Sequence, residues 1–185
     1  MKRKAEPGQR RNLLGGISVR SLPGNPTRGR LVAGNMTFPC ALGRSGIRML
    51  KREGDGATPH GRYRALRAFW RPDRVERPQT RLRLSPIGHA SGWCDEPADR
   101  NYNKPVTLPY AASAETLCRA DRIYDVVVDL DWNRGPIAKR KGSAIFLHVA
   151  NPAFGATEGC IALSAGDLRK LLTRLGPRSF FEVAR

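Results

Sequence analysis

SAIFLHVANPAFGATEGCIAL, residues 143–163, reads as two short strands joined by a loop. Ser143–Val149 is an apolar run that carries a histidine near its end. A Pro- and Gly-interrupted stretch follows, and Cys160–Leu163 resumes the apolar character. Short apolar runs bounded by turn formers are the mark of strands in a sheet core, because a helix needs ten or more residues to show its period.

The same punctuation recurs outward from this segment. Candidate strands are Ile17–Leu22, Arg30–Ala33, Met36–Leu42, Arg62–Trp70, Ile123–Leu130 and Ser179–Val183. Within Ile123–Leu130, the run Tyr124–Leu130 is apolar enough for a central strand buried on both faces. One strong helix is predicted over Ala165–Leu175. Ser164 is its N-cap with Asp167 three residues on, its leucines recur at 168, 171, 172 and 175, and Gly176-Pro177 stops it. A weaker Ser-led helix is expected over Ser113–Arg119, and Leu84–Tyr110 reads as a long irregular segment that could form a functional loop. The expected fold is therefore mainly β with one or two helices (α+β). Residues 1–16, polar and basic, read as a flexible N-terminal arm, and 17–185 as a single domain.

Charge narrows the partners. The 185 residues hold 33 Lys and Arg against 16 Asp and Glu, a formal net charge of +17, with Arg far outnumbering Lys. Such a surface suits anionic surroundings, among them wall or membrane polymers. The basic residues are scattered, and no zinc-finger or aromatic-interleaved RNA-binding pattern appears, so nucleic acid is not the expected partner. The four cysteines (Cys40, Cys94, Cys118, Cys160) have no metal-ligand spacing, and neither metal nor organic cofactor is expected. No apolar window of about 18 residues could span a membrane. The basic N-terminus lacks the apolar stretch of about 7–15 residues that a cleavable export signal requires, so either export takes another route or the recorded start is not the biological one.

Cys160 and His148 at the edges of neighbouring strands would form a minimal thiol–imidazole site for attack on a carbonyl. An unperturbed thiol is only roughly 3% ionised at pH 7, so an adjacent imidazolium could raise the thiolate population by about thirtyfold, about 2 kcal/mol of barrier. Backbone N–H groups of Gly159 and Cys160 are candidate donors to the developing oxyanion. The imidazole also needs an orienting group, for which a backbone carbonyl at Val149 or Ala150, or the Glu158 carboxylate, is a candidate. Thr157 joins Glu158 as a candidate substrate contact. Each has a plainer reading: a core cysteine, a strand-end histidine, a turn glycine and an exposed loop carboxylate. His60 and His89 read as ordinary loop residues.

The segment His148, Gly155, Thr157-Glu158-Gly159-Cys160-Ile161-Ala162-Leu163 resembles the signature of the L,D-transpeptidase catalytic domain (YkuD-like) family. In that signature a His and a Gly-containing loop precede Ser/Thr-His-Gly-Cys-apolar-Arg-apolar. Thr58-Pro59-His60-Gly61-Arg62-Tyr63 is similar to the family's upstream Thr-Pro-x-Gly-x-aromatic turn. The resemblance spans roughly Leu31 to Leu175. It implies a β-sandwich or barrel-like catalytic domain that cross-links peptidoglycan stem peptides through a Cys160 thioester. His148 would be the general acid/base, the Val149 carbonyl would orient it, and Gly159 with Cys160 would supply oxyanion donors. Water as acceptor would make the same site an L,D-carboxypeptidase, and a non-catalytic basic binding module is the rival from another class. A periplasmic or cell-envelope location is implied. Glu158 stands where the family usually has a second His, and Ala162 where an Arg is common.

Overall fold

Two tight turns set the first sheet. Pro23-Gly24 and Gly34-Asn35 link β1 (Gly16–Leu22), β2 (Asn25–Ala33) and β3 (Met36–Ala41) into an antiparallel meander. Gly24 and Gly34 take φ of +72° and +63°, which a side chain would disfavour. The computed structural model describes residues 13–185, so most of the expected basic arm lies outside the described residues. Inside them, Leu14 is already buried and donates its N–H to Arg174 O at 2.9 Å.

Beyond the meander, β4 (Ile47–Arg48) and β5 (Thr58–Pro59) pair in parallel and frame a loop at 49–57. The long β6 (Gly61–Trp70) and β7 (Arg83–Pro86) follow. Next come β8 (Ser91–Cys94), β9 (Pro105–Thr107) and β10 (Ala114–Thr116), then β11 (Val126–Leu130), β12 (Phe146–Val149) and β13 (Ile161–Leu163). Helix α1 (Ala165–Leu172) and β14 (Phe180–Ala184) complete the chain.

The main sheet runs β11-β12-β13-β3-β2-β1-β14-β6, and β6 pairs back to β11, closing a barrel; β7 adds to β6. Closure removes exposed sheet edges, and alternation fills the interior with Val19, Leu31, Val128, Leu147, Leu163 and Phe181. Helix α1 adds Leu168, Leu171 and Leu172 to this core. At about 1.5–3 kcal/mol per buried leucine, packing holds a helix too short to persist alone. Ser164 caps it, accepting from the Asp167 N–H at 3.1 Å. The helix ends at Leu172; Leu175, in the turn that follows, is also buried.

A second apolar cluster lies outside the barrel wall, between β11–β12 and a three-stranded sheet of order β10-β8-β9. It contains Phe69, Trp93, Leu117, Tyr124, Val127, Phe146 and Cys160. Trp93 and Phe146 meet edge to face, with ring centroids 4.9 Å apart.

The mainly β barrel agrees with the fold expected from the sequence, and β11 is buried along its whole length between β6 and β12. Two expectations are corrected. Ser113–Arg119 is not a helix: Ala114, Glu115 and Thr116 pair with Cys94, Trp93 and Gly92. That ladder places a strand beside the buried Trp93, which outweighs a short capping signal worth about 1 kcal/mol. Leu84–Tyr110 is not wholly irregular either, since it carries most of β7 and all of β8 and β9.

Candidate active site

Strands β12 and β13 lie side by side in parallel, with Leu147 opposite Ile161 and His148 opposite Ala162. Alternation sends Leu147 and Val149 into the barrel core, and Phe146 and His148 to the opposite side, toward the second cluster. Cys160 immediately precedes β13 and belongs to that second cluster. The fold thus brings His148 and Cys160 to one face of adjacent strands, both lining a single cavity of about 510 Å³.

The His148 ring is 5% exposed, and its Nδ1 lies 2.9 Å from Val149 O. A carbonyl oxygen only accepts, so the contact places the proton on Nδ1 and leaves the Nε2 lone pair available. The Tyr124 ring meets the imidazole edge-on at 5.4 Å, while the Tyr124 hydroxyl donates to Glu115 Oε1 at 2.8 Å. Arg119 lies over the other side of that array, 5.3 Å from the Tyr124 ring centroid, with Nη2 2.7 Å from Asp121 Oδ2.

The sulfur is held from two directions. Cys160 Sγ–H donates to Ala144 O at 3.2 Å, and Phe146 N–H donates to the sulfur at 3.3 Å. Ala144 reaches this position with φ of +51°, a left-handed conformation that costs a non-glycine residue about 1–2 kcal/mol. Asn103 holds it there. Its Oδ1 accepts from Ala144 N at 3.1 Å and from Trp93 Nε1 at 3.2 Å, while its Nδ2 donates to Trp132 O and Asn133 O. Gly159 takes φ of +132°, and a Cβ there would meet Ala57 O at 2.7 Å, so the residue before the sulfur has to be glycine.

Burial sets the charge state. It pushes the Cys160 thiol up to about 12, against which the Phe146 N–H works in the lowering direction. Burial also holds His148 down at about 4, with the Val149 carbonyl opposing and Arg119 adding to the depression. Both groups are therefore neutral at rest. Burial thus favours the neutral forms over the thiolate–imidazolium pair expected from the sequence: two fully formed charges would have to leave water, and the charges that would favour them, Asp121 for His148 and Lys51 for Cys160, do not offset that cost.

A family profile, the L,D-transpeptidase catalytic domain (YkuD), matches residues 27–183. The chain belongs to the L,D-transpeptidase catalytic-domain family. There is no significant match to a curated protein or a solved structure. The family acts on peptidoglycan and is generally associated with the cell envelope; among the described residues no helix is long and apolar enough to cross a membrane.

Glu158 is exposed and paired with Arg44, Nε to Oε2 at 2.9 Å, rather than with His148. Strand β13 starts only at Ile161, so Glu158 is not on an extended strand with Cys160; its carboxylate instead pins the loop to the β3–β4 connection. Thr157 Oγ1 donates to Cys160 O at 2.6 Å and accepts from Gly159 N at 3.2 Å. The Gly159 N–H is thus directed at a threonine hydroxyl, a different partner from the substrate oxyanion expected for it. Val149 offers its carbonyl to His148 and donates its N–H to Ile123 O. His60 is exposed; His89 is also exposed, 3.7 Å from Cys118 Sγ. All four cysteines are free.

Sequence reasoning missed Tyr124, Glu115, Arg119, Ala144 and Asn103. Tyr124 read as one more core residue, and the helix expected at 113–119 hid the fact that Glu115 and Arg119 line the cavity. A buried asparagine in a Pro/Asn-rich stretch gave no signal beyond turn propensity.

Proposed function

We propose that the chain is a cysteine-dependent acyl transferase of peptidoglycan stem peptides, performing L,D-transpeptidation in bacterial cell-wall cross-linking. One observation carries this reading: the thiol of Cys160 and the imidazole of His148 open on the same cavity, with the His148 tautomer fixed by Val149 O.

From the neutral resting pair, Nε2 of His148 takes the thiol proton as sulfur attacks the donor carbonyl. The S–H to Ala144 bond is given up, and the Phe146 N–H remains to stabilise the growing negative charge on sulfur. The tetrahedral oxygen is met by the Cys160 N–H, since Thr157 engages that of Gly159. Collapse expels the terminal amino acid, whose nitrogen takes the proton from the imidazolium, leaving a thioester. The acceptor amine then attacks the thioester while His148, again neutral, removes its proton; the C–S bond breaks as the new amide forms, and the proton passes from His148 to the departing Cys160 sulfur. Glu53, Asp95, Glu115 and Glu158 line the cavity against Arg119. An excess of carboxylates raises the local concentration of a cationic amine acceptor, favouring transfer over hydrolysis.

Intact-mass measurement after exposure to a carbapenem tests the nucleophile. A single adduct is expected, absent in Cys160→Ala and slowed in His148→Ala. Unchanged wild-type mass with both the carbapenem and a tetrapeptide donor would overturn the reading. With donor and acceptor peptides together, a cross-linked dimer is expected; tripeptide as the sole product would assign the site to an L,D-carboxypeptidase.

A further inference from the structure

The two most exposed large apolar side chains of the described residues are neighbours. Met49 is 76% and Leu50 85% exposed, at the start of the loop between β4 and β5. They gain nothing for folding in that position. Contiguous exposed apolar surface, unlike a singly scattered residue, points to a contact surface.

The surroundings define the partner. A shallow depression beside the pair is lined by Ser45, Arg48, His60, Ala184 and Arg185 as well as Met49 and Leu50, with no carboxylate side chain among them. Arg48, Arg52 and Arg185 are exposed. Two of these are braced by backbone oxygens: Arg185 Nε donates to Ile47 O at 3.1 Å, and Arg48 Nε to Ser45 O at 3.4 Å. The loop's acidic groups are engaged elsewhere and do not line this depression. Asp55 is bound to Lys51 Nζ at 2.6 Å, and Glu53 accepts from the Tyr102 hydroxyl. An apolar tip beside Arg48 and Arg185, with Arg52 exposed on the same loop and the loop's carboxylates engaged elsewhere, complements a bilayer surface that offers anionic headgroups above an acyl boundary. A soluble anionic polymer would use the arginines and leave the apolar pair without a role.

We propose that the 49–57 loop is a membrane-docking element, with Met49 and Leu50 entering the headgroup–acyl boundary of an anionic phospholipid bilayer and Arg48, Arg52 and Arg185 pairing with lipid phosphates. The loop continues into Glu53 and Gly54, which line the catalytic cavity. Gly54 lies four residue steps beyond Leu50, a reach of at most about 14 Å. Docking therefore holds the cavity rim close to the membrane surface. This inference is independent of which acyl transfer the site performs, and its test contains no enzymatic readout.

The test is co-sedimentation of the full chain with vesicles of phosphatidylcholine alone and of phosphatidylcholine mixed with phosphatidylglycerol. Binding to the mixed vesicles that weakens with added salt is expected, with little binding to the neutral ones. The double variant Met49→Ser/Leu50→Ser keeps every charge and alters only exposed side chains, so it tests the tip without threatening the fold; at least a tenfold loss of affinity for mixed vesicles is expected. Arg48→Ser and Arg52→Ser should each cost about fivefold. Equal binding by the double variant and the wild type would overturn the proposal by reducing the attraction to charge alone. So would equal binding to neutral and anionic vesicles. A concentration-dependent dimer abolished by Leu50→Ser, with no vesicle binding, would reassign the surface to a second copy of the chain and overturn it as well.

Discussion

Replacing His148 by Gln should change how the reactivity of Cys160 depends on pH. With burial holding the thiol at about 12, only about one molecule in 10⁵ is a thiolate at pH 7, against roughly 3% for an ordinary cysteine, a deficit of about 3,000-fold. The greater intrinsic nucleophilicity of so basic a sulfur recovers about 25–55-fold, leaving reaction through free thiolate about 50–120-fold slower than for an exposed cysteine. The proposed mechanism adds a second route in the wild type, in which His148, held neutral above about pH 4, takes the proton as sulfur attacks. Alkylation by iodoacetamide should then be nearly independent of pH from about pH 5 to about pH 9 and fall as the imidazole protonates below that. In His148→Gln only the thiolate route remains, and the rate should rise about tenfold per pH unit over the same range. Rates are read by mass spectrometry in a Cys118→Ser background, since Cys118 is the other partly accessible thiol. A wild-type profile that climbs tenfold per pH unit, parallel to the variant, would refute proton transfer to His148. Fast, saturated alkylation at about pH 6 would refute the neutral resting pair.

Stability should also depend on pH through the same histidine. Above its unfolded value of about 6.5 it is neutral in both states and its full contribution is present. As pH falls toward about 4 only the unfolded chain takes the proton, so about 2–3 kcal/mol is lost by about pH 4.5; urea denaturation should show that loss in the wild type and a smaller one in His148→Gln. Asn103→Ala removes the acceptor of two buried N–H groups and the donor to two carbonyls, and should cost about 3 kcal/mol in the same denaturation assay while slowing carbapenem acylation by freeing Ala144. Glu158→Gln breaks only a solvent-exposed ion pair with Arg44, so stability should change by less than about 1 kcal/mol, and the pH profile of Cys160 alkylation should keep its shape.

Much of the fold was legible because barrel strands alternate or run apolar between turn formers. Ile17–Leu22, Met36–Leu42 and Arg62–Trp70 match β1, β3 and β6 to within a residue at each end. Arg30–Ala33 captured only the end of β2, because Asn25–Gly29 has no apolar alternation and is recruited by pairing with β1 and β3. The short β4, β5, β8, β9 and β10 were illegible for the same reason: two to four residues carry no period, and their partners select them. Cys160 and His148, which line one cavity, could be singled out from the sequence, since an apolar run ending in His and a Gly-Cys entering the next run survive as local patterns. Their proximity to Tyr124, Glu115 and Arg119 could not, because those residues arrive from β10–β11, far along the chain.

Local chemistry thus determined which atoms are available: a thiol preceded by a glycine that no other residue could replace, and an imidazole one position before the carbonyl that binds it. Tertiary structure alone decided their charge. A proton's position depends on how much water surrounds sulfur and nitrogen and on which carbonyls point at them, and both are set by β11, β12 and the small outer sheet closing over the site. The same division holds at the 49–57 loop, where composition supplied two apolar side chains and several arginines, and only the folding inward of Glu53 and Asp55 left them as one surface.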